Sequence, residues 1–114
     1  MDLIRTTGNI EPLKQMQSAD RKTEARKFLV RGRVQGVGFR WFVEREAQLL
    51  GVAGWVRNNS DGSVEVLAIG THDQLSGLRS RLRQGPRASR VDDVEESESK
   101  PIEGLKTFRI EGAW

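Results

Sequence analysis

From Lys27 onward the chain falls into periodic segments. In "KFLVRGRV" Phe28 and Val30 share one side of a period of two, which predicts a strand. The next apolar positions, Phe39, Phe42, Val43, Ala47 and Leu50, recur at helical spacing, and Gly51 is placed to cap the end of that helix. "VAGWVRN" and "SVEVLAIG" return to strand character. The turn residues of "NSDG" between them predict a hairpin. A second helix is expected over "THDQLSGLRSRLRQG", with Leu75, Leu78 and Leu82 as its apolar stripe. Thr71 and Gln74 have the spacing of a capping box, and Gly85-Pro86 ends the helix. "SRVDDVEESE" reads as a strand in which Val91 and Val94 break strict alternation, implying a bulge or bend. "KTFRIEG" puts Phe108 and Ile110 on one face of a short last strand.

Strand, helix, strand, strand, helix, strand is the order of a split βαβ, ferredoxin-like α+β sandwich. Each helix has one apolar stripe to bury, so both are expected on one face of an antiparallel sheet. Residues 1–26 are different: apolar positions are sparse and follow no period, which predicts a disordered or loosely attached tail. The folded domain is accordingly expected over residues 27–114. This fold carries many unrelated functions, so chemistry must be read from particular residues.

Composition removes several chemistries. A chain of 114 residues holds one small core. With no cysteine there are no disulfides, thiolate zinc sites or thiol nucleophiles, and His72 is the single histidine. No apolar run approaches the roughly 20 residues that span a bilayer, and "MDLIRTTGNIEPLKQ" has no apolar leader segment. A cytoplasmic protein is expected. The net charge of +3 says little by itself. Its distribution says more: Lys27, Arg31, Arg33, Arg40, Arg45 and Arg57 face only Glu44 and Glu46 in the same stretch, whereas Asp92, Asp93, Glu95, Glu96 and Glu98 cluster later. A locally positive first half suits an anionic ligand, and a solvated charged surface accounts for most of these residues one at a time.

"GRVQGVG" joins the first strand to the first helix. A helix start exposes N–H groups without internal partners and carries partial positive charge. Glycines let such groups converge on an anion, phosphate above all. A tight turn alone also explains Gly36 and Gly38. Arg40 shifts that balance, because a cation in the first helical turn opposes the dipole and is easier to understand with an anion to hold. Its fork matches phosphate oxygens in pairs; its stem could equally cover apolar neighbours. Asn58 ends a strand ahead of a turn, where asparagine is ordinary.

Taken together, "GRVQGVGFR" and "GWVRNNSDGSVEVLAIG" resemble the two signature motifs of the acylphosphatases. The resemblance spans about Lys27 to Trp114 and includes the terminal "FRI"; the tail before Lys27 departs from the family's usual short form. It implies hydrolysis of the carboxyl–phosphate bond of acyl phosphates with no metal and no cofactor. It also implies a phosphate-binding loop of Gly32, Arg33, Val34, Gln35, Gly36, Val37 and Gly38, a catalytic Arg40 that also binds phosphate, and a catalytic Asn58 that positions water. The expected partners are a small acyl phosphate and inorganic phosphate as product and competitor, with a monomer and no nucleic acid or membrane. An RNA-binding module shares the strand order, but such a module stacks bases on aromatics of its central strands, and "SVEVLAIG" has none. A non-hydrolytic domain that binds a phosphorylated or carbamoylated partner is the other alternative.

Overall fold

The computed structural model describes residues 22–112. Strands β1 (Glu24–Arg33), β2 (Ala53–Asn58), β3 (Val64–Gly70), β4 (Arg90–Ser99) and β5 (Phe108–Ile110) alternate with helices α1 (Phe39–Leu50) and α2 (His72–Gln84). The strands form one sheet in the order β4-β1-β3-β2-β5. β1 lies antiparallel to both β3 and β4, and β2 antiparallel to β3. The fully antiparallel sheet expected from the pattern is corrected at one edge, where β5 runs parallel to β2. The connection from β4 crosses the sheet and delivers the short strand in that direction, giving a mixed sheet within the ferredoxin-like α+β fold.

The alternation drives the layering. Phe28 and Val30 of β1, Val56 of β2, and Val64 and Val66 of β3 share one core with Phe39, Val43 and Ala47 of α1 and Leu75, Leu78 and Leu82 of α2. Both helices therefore cover the same face. Leu78 is fully buried, and truncating such a side chain to alanine costs about 2–5 kcal/mol. Buried Glu46 joins the two helices, its carboxylate lying 3.2 Å from Arg81 and 3.0 Å from Arg45. On the opposite face Glu65 sits between Lys27 (3.2 Å) and Arg57 (3.1 Å), and the Arg57 guanidinium stacks over Trp55 at 4.7 Å. Burial raises the pKa of the Glu65 carboxyl, but hydrogen bonds and charge from Arg57 and Lys27 outweigh it and hold the group below its ordinary value.

β1 begins at Glu24, so three residues assigned to the tail belong to the sheet; Ala25 is 2% exposed and pairs with Ile69 and Ser99. "EAR" carries too little apolar pattern to announce a strand, and its partners on both sides supply what the sequence does not. Residues 1–21 of that tail lie outside the described residues. Near the other end of β1 the pairing with β4 slips from Arg31↔Asp93 to Gly32↔Val91, the irregularity that Val91 and Val94 foreshadow. Gly32 has φ +134°, and a Cβ there would stand 2.1 Å from the Arg90 carbonyl oxygen. Only glycine fits.

Candidate active site

The site is assembled where β1 gives way to α1 and faces the end of β2. Gly36 (φ +75°) and Gly38 (φ +80°) take left-handed conformations that favour glycine, and neither would put a Cβ within 4 Å of another group. Gly38 caps α1 without a side-chain hydrogen bond, and no acid stands in the first turn of the helix. The first backbone bond runs from Phe42 N to Gly38 O at 3.1 Å. The N–H groups of Phe39, Arg40 and Trp41 precede it and have no acceptor within the helix. Arg40 is the cation at this positive end. The segment after β5 passes close to it, with Gly112 placed so that a Cβ would come within 4.0 Å of Arg40 Nη1.

The hairpin turn after β2 is held from several sides. Asn59 N donates to Ser63 O at 2.9 Å, and Asp61 Oδ1 accepts from Ser63 N (2.9 Å) and Ser63 Oγ (2.6 Å). The Ser63 side-chain and backbone bonds hold Asp61 below the usual carboxylate range. Gln35 Nε2 donates to Asn59 O at 2.8 Å and Ser63 O at 2.9 Å, tying the glycine loop to the turn. Asn58 is thereby fixed in β2 opposite Val64, and its Oδ1 is buried and accepts no hydrogen bond from the described residues.

Val34, Gly36, Gly38, Phe39, Arg40, Trp41 and Asn58 line one cavity of about 190 Å³. Of the residues expected at a phosphate site, Val34, Gly36, Gly38, Arg40 and Asn58 thus come together. The others have different surroundings. Gly32 and Arg33 belong to the end of β1, Gln35 reaches across to the turn, and Val37 packs against the core. Trp41 was not anticipated. It is 72% exposed at the cavity rim. The signal available in advance was its place in "FRWF", off the apolar stripe of α1 and directly after Arg40. Among the described residues, no cluster of three or more His, Cys, Asp or Glu could hold a metal ion, and no helix is long and apolar enough to cross a membrane.

A helix start without a side-chain cap, a glycine loop, one arginine and one buried amide oxygen surround a small cavity in an α+β domain. Comparison with known proteins sharpens the class. Residues 26–110 match the model of the acylphosphatase family. The chain is 62% identical over 91 residues to an acylphosphatase of Koribacter versatilis, covering 80% of this chain and 83% of that one. It is 52% identical over 85 residues to one from Pasteurella multocida, covering 75% and 94%. The crystal structure of acylphosphatase from Bacillus subtilis superimposes with a TM-score of 0.75 at 41% identity, covering 80% of this chain and all of that one. The chain belongs to the acylphosphatase family.

Proposed function

We propose that this member of the family hydrolyses acyl phosphates at the cavity between the glycine loop, Arg40 and Asn58. The observation that carries the reading is that these groups, distant in sequence, line one cavity. The positive start of α1 and the Arg40 fork bind the phosphoryl oxygens and stabilise their charge in the transition state. Such transfer depends on positioning and charge stabilisation more than on covalent help. Asn58 holds the attacking water; a buried amide oxygen with no donor among the described residues is suited to accept from it. The water oxygen bonds to phosphorus as the bond from phosphorus to the acyl oxygen breaks. The carboxylate leaves with the bonding pair, and a phosphoryl oxygen takes the water's proton. A carboxylate is a good leaving group, so no acid is required to protonate it.

The enzyme is proposed to work as a cytoplasmic monomer, free of metal and cofactor, with residues 1–21 dispensable for turnover. The purified chain is expected to release phosphate from acetyl and benzoyl phosphate and to leave a phosphate monoester intact. Activity is expected to survive a chelator, and inorganic phosphate to compete with substrate. No release from either acyl phosphate defeats the reading. Activity lost to the chelator and restored by magnesium defeats the metal-free mechanism. Lack of competition by phosphate moves the site elsewhere, and a sedimentation coefficient above that of a monomer corrects the oligomeric state.

A further inference from the structure

We propose that Trp41 is the residue that recognises the acyl group, giving the enzyme a preference for acyl phosphates with a flat, apolar acyl part. The inference rests on the proposed phosphoryl site and concerns what lies beside it. The cavity, at about 190 Å³, is smaller than the roughly 300–1,000 Å³ that enclose drug-sized ligands. It takes a phosphoryl head and leaves the remainder of the substrate at the rim. Trp41 stands at that rim, lining the same cavity as Arg40 and Asn58.

Its exposure is otherwise hard to account for. Trp41, Leu49 and Ile102 are the large apolar side chains exposed among the described residues, and only Trp41 of these lines the cavity. The neighbouring aromatics have partners within the domain: Phe39 meets Phe42 at 6.1 Å, and Trp55 lies under Arg57. Trp41 sits in the first turn of α1, anchored by fully buried Val43 and nearly buried Phe39 on either side in sequence. The indole is therefore a platform on a rigid element, with two side-chain torsions to fix on binding. A benzoyl group seated on it loses exposed apolar surface and gains an aromatic pair, whereas acetyl offers a single methyl group.

The test compares kcat/KM for benzoyl and acetyl phosphate in wild type, Trp41→Ala and Trp41→Phe. With alanine, the benzoyl value is expected to fall about three- to tenfold, mainly through KM, the scale of one aromatic pair. The acetyl value is expected to fall less than the benzoyl value, so that the ratio of the two narrows, and phenylalanine to restore most of the benzoyl preference. An unchanged ratio of the two substrates, or equal losses for both, overturns the assignment. Failure here is distinguishable from failure of the phosphoryl site. In the first case wild type still hydrolyses both substrates and phosphate still competes; in the second it hydrolyses neither.

Discussion

Helix α2 starts with the devices that satisfy a helix N-terminus, and helix α1 starts without them. At α2, Thr71 Oγ1 accepts from Gln74 N at 3.2 Å, Gln74 Oε1 accepts from Thr71 N at 2.8 Å, and Asp73 adds a negative charge to the first turn. At α1, a glycine in the left-handed region occupies the cap, no side chain accepts from the first turn, and Arg40 adds a positive charge. A cap such as Thr71 contributes about 1 kcal/mol. At α1 that stabilisation is forgone, and the donors it would have occupied stay available to an anion. One helix start is closed by its own side chains, and the other keeps its donors open, as the proposed phosphoryl site requires. The same contrast separates the expected effects of substitution.

The largest effect is expected at Arg40. Arg40→Lys keeps the charge but not the two-pronged geometry. It is expected to lower kcat/KM for acetyl phosphate by at least about 10²–10³-fold, the scale of a lost transition-state donor. Near-normal turnover by the lysine variant would show that charge alone suffices at this helix start. Asn58→Ala comes next, with kcat lower by about 10²-fold and inhibition by phosphate close to wild type. Its buried Oδ1 has no donor to lose among the described residues, so the melting temperature of the variant is expected to stay near that of wild type. Loss of phosphate inhibition in the folded variant would make Asn58 a ligand to the anion instead.

Smaller effects separate the helix starts by stability. Gly38→Ala meets no neighbour, so its cost is the left-handed backbone alone, about 1–2 kcal/mol, and a thermal melt should reveal it together with weaker phosphate inhibition. Thr71→Ala is expected to cost about 1 kcal/mol, a fall of roughly 4–8 °C in Tm for a domain of this size, with kcat/KM unchanged. Reduced turnover in the Thr71 variant would mean that the two helix starts are coupled.

Local signals account for what could be read in advance. The capping box at Thr71 and Gln74 and the left-handed Gly51 are fixed within a few residues of chain, and both are where the pattern places them. The broken alternation at Val91 and Val94 likewise announces the slip in β1–β4 pairing. What escaped depends on distant partners. The direction of β5 is set by the path from β4 and by β2, not by "FRI" itself. Glu24–Arg26 become strand because β3 and β4 lie on either side. Gly32 reads like a loop glycine until the Arg90 carbonyl is seen where its Cβ would be. At the site, motif resemblance drew attention to Arg40 and Asn58, which line one cavity. Trp41 has no such mark, because the significance of an exposed side chain depends on what the hairpin turn brings opposite it.

The outer strand β4 has a consequence of another kind. Among the described residues it pairs only with β1, so its far side offers an unmatched row of peptide groups, the usual template for one copy to add to another. Along it stand Asp92, Asp93, Glu95, Glu96 and Glu98, of which Asp92 is paired with Arg90, Asp93 and Glu95 with Arg31, and Glu96 with Arg79 and Arg26. Acids hold five of the ten positions of this strand, and negative charge on an open sheet edge disfavours the addition of a second copy. The acidic cluster so conspicuous in the sequence is thus expected to act between molecules as well as within one, against edge-to-edge association.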